Sequence, residues 1–134
     1  MKPRLDAIGL IVSDLSDSIS FYRRLGIDLP NPAEHGHVEA TLEGGIRFMI
    51  DTIAEVRSFD PDWTQPSGGH RIALAFLCDS PGGVDVLYKS LIDQGVEAYK
   101  EPWDAFWGQR DAEVKDPDGH IVALFAPLEV TDAS

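Results

Sequence analysis
The chain has 134 residues with 43% hydrophobic and 25% charged content, enough for one folded domain with a sizeable core rather than a disordered segment. Its formal net charge of -12 argues against a phosphate backbone as partner, and no cluster of Lys and Arg offsets it. A single cysteine, Cys78, excludes an internal disulfide and reads as a small buried hydrophobe. No apolar run reaches the about 20 residues that span a bilayer, and the first residues carry no signal-peptide pattern, so the expectation is a cytoplasmic protein with no membrane partner.

Residues 5–12 (LDAIGLIV) read as a strand. Asp14 then stands as a helix N-cap, with Asp17 in the first turn, where the helix dipole favours negative charge. Leu15, Ile19, Tyr22 and Leu25 recur at helical spacing, and Gly26 is the stop. Room remains for a short strand near Asp28 and Leu29. Residues 37–42 alternate as a strand, Gly44-Gly45 makes a turn, and residues 46–50 form the next strand. Residues 52–69, with Pro61, Pro66 and a Ser-Gly-Gly run, read as a linker holding one helical turn near 54–58.

The pattern then restarts. Residues 72–77 (IALAFL) are a strand, and Asp79 stands where Asp14 stood. Val84, Leu87, Tyr88 and Leu91 make a helical stripe that Gly95 ends. Strands follow at 96–99, 109–114 and 120–126, the last two joined by the turn Asp116-Pro117-Asp118-Gly119. His120 is expected to be exposed, and residues 129–134 to fray. The order predicts an α+β fold of two βαβββ modules, about 4–51 and 70–128, forming a curved mixed sheet around a pocket. Each module alone leaves one sheet face bare, so pairing is physically required.

The stretches VSDLSDSISFYRRLG and WGQRDAEVKDPDGHIVALF resemble the vicinal oxygen chelate superfamily of glyoxalases, extradiol dioxygenases, fosfomycin-modifying enzymes and bleomycin-binding resistance proteins. SFDPDW, PSGGHRIALAF and KEPWDAFWGQR are similar to the mitomycin-binding resistance proteins. The enzymes of the superfamily hold a divalent metal. The resemblance places their ligand positions at Ala7, Ala123, Ile72 and either Phe48 or Met49, none of which offers a lone pair. His70, two residues before Ile72, is the nearby candidate for a displaced ligand. The expectation is therefore no metal and no cofactor, with Ala7, Gly9 and Ala123 forming an open apolar floor.

The resemblance implies that Trp107 lies against a planar bound ring and that His37 faces the same ring from the other side. Two further readings stay open: Trp107 as a loop residue packed at a dimer surface, and His37 as a solvated strand-start histidine. Trp103 and Phe106 are further aromatic candidates. Trp63 reads as a plug over the core edge, Phe21 and Tyr22 as core. Along 109–114, Ala112 and Val114 should face the helix, which turns Asp111 and Glu113 into the concavity. Those carboxylates favour a cationic or hydrogen-bond-donating ligand, or else sit at a wet rim or pair with Arg110 or Arg47. The function expected is metal-independent sequestration of a planar, antibiotic-like molecule by a homodimer. The alternative is a glyoxalase- or dioxygenase-type lyase, or an isomerase using Asp111, Glu113 or His70 as base.

Overall fold
The computed structural model describes residues 1–32 and 35–128. The chain divides into two compact units, Met1–Gly68 and from Gly69 onward. The frayed end expected at 129–134 lies outside the described residues. The architecture is α+β with one mixed sheet in each unit, in agreement with the two-module expectation.

In the first unit, β1 (Ala7–Val12) leads into α1 (Leu15–Arg24), then β2 (His37–Thr41), β3 (Arg47–Thr52) and a short α2 (Ile53–Phe59). The sheet order is β1-β3-β2, with β1 parallel and β2 antiparallel to β3. Asp14 caps α1 as expected, its carboxylate accepting from the Asp17 amide at 2.9 Å. The helix buries Ile19, Phe21 and Tyr22, while Leu10, Val12, Phe48, Ile50 and Val38 are the buried strand residues. Tyr22 stands 5.0 Å from Phe48 and 4.9 Å from Phe21, ring centre to ring centre. The extra strand near Asp28 and Leu29 does not form. Leu29 is buried, but its carbonyl accepts from Arg23 Nε at 2.9 Å instead of joining a ladder.

The second unit holds β4 (Ala73–Leu77), α3 (Pro81–Asp93), β5 (Glu97–Ala105), β6 (Gln109–Lys115) and β7 (Ile121–Pro127). Its sheet order is β4-β7-β6-β5, with β4 parallel to β7 and the rest antiparallel. Val84 and Leu91 of α3 are buried, as are Ala112, Val114, Val122, Leu124 and Ala126 of the strands. Each fully buried Val or Leu contributes about 1.5–3 kcal/mol.

The helix that packs on each sheet ends the same way. Gly26 and Gly95 adopt φ of 89° and 92°, a conformation only glycine takes without strain. The residues after them close the last turns, Ile27 N–H on the Tyr22 carbonyl at 3.1 Å and Val96 N–H on Leu91 at 3.0 Å. The starts differ. Ser80, not Asp79, caps α3, its hydroxyl accepting from the Gly83 amide at 3.0 Å, with Pro81 in the first helical position.

Among the described residues no helix is long and apolar enough to cross a membrane.

Candidate functional site
Strand alternation sorts every candidate residue onto one of two faces. The helix-covered face of the second sheet takes Ala112 and Val114, both fully buried. The opposite, open face takes Asp111, Glu113, Ala123 and Phe125, with Ala75 and Leu77 of β4 alongside. Leu77 is 68% exposed, and Ile72, just ahead of the strand, 67%. Ala75 is the direct partner of Ala123 and Leu77 of Phe125, so the floor along β4 and β7 is carbon.

An aromatic wall rises beside that floor. Trp103 lies on β5 opposite Asp111, and its Nε1 donates to the Asp111 carboxylate at 3.3 Å. Trp107 meets Trp103 edge to face at 5.4 Å, and Phe106 meets Trp107 at 4.8 Å, also edge to face. Phe106 and Trp107 occupy the β5–β6 turn, closed by the Gly108 amide on the Ala105 carbonyl at 3.0 Å. Trp107 Nε1 donates to Gln109 Oε1 at 2.8 Å, which fixes the indole while leaving the residue 52% exposed. Lys100 Nζ sits 4.0 Å from the Trp103 ring centre.

Asp111 is 5% exposed. Burial pushes its carboxyl above the usual carboxylate range, against the opposing pull of the Trp103 hydrogen bond and the Lys100 charge. Glu113 is half-buried, between Lys100 and Ala123 in the ladder. The arginines are engaged elsewhere: Arg110 holds Asp85 at 2.9 Å and Asp104 at 3.1 Å, and Arg47 holds Asp6 and Glu39, each at 2.7 Å.

The open face of the first sheet is built differently. Across the strands, Ala7 stands in line with Arg47 and Thr41, Gly9 with Met49 and Glu39, and Ile11 with Asp51 and His37. His37 Nδ1 lies 2.6 Å from Asp51 Oδ1, and its Nε2 lies 3.7 Å from Glu39 Oε2. Glu39 in turn is held by Arg47. The histidine is thus a fixed member of a polar chain and not simply a solvated strand start. Its partners Asp51, Glu39 and Arg47 were not singled out from the sequence as a group. Counting outward from a turn centred on Gly44 pairs His37 with Asp51, whereas the Gly44-Gly45 turn read from the sequence pairs it with Thr52.

Several expectations change. His70 precedes β4 rather than sharing a strand face with Ile72, and its exposed ring meets Tyr99 edge to face at 5.6 Å. With Ser80 as cap, the position matching Ala7 moves from Ile72 to Ala73, the first residue of β4. The position matching Ala123 is Met49, which pairs with Gly9 as Ala123 pairs with Ala75, whereas Phe48 is buried under the helix. His120 is not simply exposed: its Nδ1 lies 2.7 Å from the fully buried Asp116 carboxylate. Cys78 is half-buried, and burial raises its thiol pKa. Trp63 is half-buried, with Arg57 5.7 Å above its ring and donating to its carbonyl at 3.2 Å.

The divalent metal of the superfamily's enzymes does not fit these residues. Ala7, Ala73, Met49 and Ala123 supply three methyl groups and one thioether, and a thioether is too soft for the oxygen-loving divalent ions. Among the described residues, no three His, Cys, Asp or Glu side chains converge on a point where an ion could sit.

A depression of about 460 Å³ lies between α1 and the segment after it, lined by Ser16, Ile19, Arg23, Arg24 and Asn31 among others. It is on the helix side of the first unit, and Arg23 is already committed to Leu29 and to Asn31 Oδ1 at 3.0 Å.

Two modules of this order, each with an open sheet face, define a glyoxalase-like protein, and the comparisons agree. Residues 4–124 match the Glyoxalase/Bleomycin resistance protein/Dioxygenase superfamily, and the chain belongs to it. Among solved structures it is similar to a glyoxalase/bleomycin resistance protein/dioxygenase from Nocardioides, at 25% identity and a TM-score of 0.75, covering 100% of this chain and 89% of that one. A family enzyme from Burkholderia phytofirmans PsJN shares the fold at 16% identity and a TM-score of 0.80, covering 94% and 100%. TioX from Micromonospora sp. ML1 shares it at 22% identity and a TM-score of 0.62, covering 94% and 100%. No curated protein matches the chain.

Proposed function
We infer that this protein binds a planar organic molecule, of the kind a drug-sequestering protein takes, on the open face of its second unit and without a metal. One observation carries the reading: the Trp103–Trp107–Phe106 edge-to-face series stands beside a carbon floor that includes Ala75, Ala123 and Phe125. A half-exposed indole held by its own N–H presents a flat surface with little conformational entropy left to lose. Carbon floors with one or two polar anchors suit apolar ligands. Asp111 and Glu113 are the anchors, and they favour a ligand that bears an amino group or another hydrogen-bond donor. The sequence resemblance to mitomycin-binding proteins supports the same ligand class and a homodimeric, cytoplasmic protein.

Titration with a planar quinone tests the reading through quenching of the three tryptophans. Saturable quenching that weakens about tenfold or more in Trp107→Ala is expected, since losing a stacked partner and its burial costs about 1.5 kcal/mol or more. Quenching that is linear, or identical in the variant, contradicts it. For an aminoquinone, Asp111→Asn should weaken binding more than it does for the parent quinone. Light scattering after size exclusion checks the dimer.

The alternative, a lyase or isomerase of this fold, draws support from one feature, the short His37–Asp51 contact in the first unit.

A further inference from the structure
We propose that the Trp103 ring, on the open face of the second unit, is an ammonium subsite, and that Lys100 fills it until a ligand's own ammonium displaces the lysine. The inference rests on the reading that this face takes a ligand, and it gives the ligand's charged group a place. The ring already holds a cation: Lys100 Nζ lies 4.0 Å from its centre. An indole face attracts such a group more strongly than the other aromatic side chains do. A methylated ammonium suits the same place, because lysine's compact ammonium is strongly hydrated and gives up its water less easily.

The strand is shaped to make this contact. In an unbroken strand, residues three apart point to opposite faces. Here Lys100 pairs with Glu113 and Trp103 with Asp111, so three steps along β5 match two along β6. The extra residue in that shift brings Lys100 and Trp103 to the same face. Pro102 lies inside the shift, where its missing N–H costs no regular ladder bond. Glu113 stands across from Lys100, and Asp111 is tied to the indole through Trp103 Nε1 at 3.3 Å.

The charges of this face suit a cation. Glu113 and Asp111 stand against Lys100 alone. Lys115 and Glu97, further along, pair with each other at 3.8 Å, and Ala123 and Phe125 of β7 carry no charge. Among the described residues Lys100 makes no ion pair, so the ring and the field of the Asp111 carboxylate hold its ammonium. Lys100 is exposed, so it can leave the ring for water without breaking a buried contact. While it stays, only the uncovered fraction of molecules takes a ligand there, and the apparent dissociation constant rises in inverse proportion. A lysine seated about four-fifths of the time weakens binding about fivefold.

The experiment titrates the whole chain with choline at about 0.15 M salt, where exposed charges more than about 8 Å apart are screened. Nuclear magnetic resonance follows the Trp103 indole N–H, identified by its loss in Trp103→Phe, and the Lys100 side-chain methylenes, which the ring current shifts upfield. In wild type, choline should move both signals saturably and return the methylenes toward their ordinary position. Lys100→Gln should bind choline about fivefold more tightly or better. Lys115→Gln removes the same charge from the same face but leaves the ring covered, and should stay within about twofold of wild type. The uncharged copy of choline, 3,3-dimethylbutanol, should bind Lys100→Gln about tenfold more weakly than choline or worse. Thermal unfolding confirms that the variants fold, and the wild-type methylene shifts decide without them. The proposal is overturned if those shifts are ordinary in free protein or persist when choline saturates. It is also overturned if Lys100→Gln binds choline no better than Lys115→Gln does, or if the uncharged copy binds equally. Choline binding as described alongside failed quinone quenching removes the planar-ring reading and leaves this one standing.

Discussion

Asp116→Asn should destabilise the protein by about 2 kcal/mol near pH 6, and by clearly less near pH 9. The side chain of Asp116 is fully buried and organises the β6–β7 turn. Its Oδ1 accepts from the amides of Asp118 and His120, both at 2.9 Å, and its Oδ2 meets His120 Nδ1 at 2.7 Å. An asparagine keeps an oxygen for the two amides but sets an NH2 group against the imidazole. What is lost is one charge-assisted hydrogen bond, worth about 1.5–3 kcal/mol. The Asp116 hydrogen bond raises the His120 pKa, with burial opposing. A raised histidine contributes its stability in full below the unfolded value of about 6.5, and that contribution is lost as pH rises through the folded value. Near pH 9 the imidazole is neutral in both states, and an ordinary hydrogen bond of about 1 kcal/mol remains. Urea unfolding of both proteins at the two pH values measures the difference. A deficit below about 0.5 kcal/mol near pH 6, or one that does not shrink with rising pH, would refute the reasoning.

Other substitutions follow from the same structure. Asp111→Asn should stabilise the protein at neutral pH by about 1 kcal/mol, because the amide oxygen still accepts from Trp103 while a desolvated charge disappears. The carboxyl's folded pKa is raised, so the wild-type penalty is absent below the unfolded value of about 3.9 and grows as pH rises; melting curves across acid pH should converge at the low end. Ser18→Ala should be neutral or stabilising by about 1 kcal/mol in denaturant titrations, since the buried Ser18 hydroxyl has no hydrogen-bond partner among the described residues. Gly95→Ala should lower stability by about 1–2 kcal/mol in the same assay. There the cost is conformational, because no atom of the described residues lies within 4 Å of where the methyl group would go.

The elements that could be read from sequence were those with strong local chemistry. Asp14, Gly26 and Gly95 mark helix ends by capping and by left-handed backbone, which depend on few neighbours. The start of α3 differs by one residue from the sequence expectation because Asp79 and Ser80 are both competent caps, and only Pro81 at the first helical position separates them. The strand expected at 96–99 runs instead from Glu97 to Ala105. Register shifts between Ala98 and Lys100, and again before Trp103, break the period-two pattern that reveals a strand. The same irregularity hid that Trp103 is a strand residue facing Asp111. The placing of Asp111 and Glu113 on the face away from the helix did follow from alternation alone. The polar chain from Asp51 through His37 and Glu39 to Arg47 did not, because its members meet across strands and are scattered through fifteen positions of sequence.

The most direct check is a quinone titration of protein treated with a strong chelator, alongside untreated protein and Trp107→Ala. Unchanged affinity after chelation, together with a drop of about tenfold in the variant, is the predicted result. Affinity that vanishes with the metal and returns with a divalent ion, while Trp107→Ala binds normally, would contradict it.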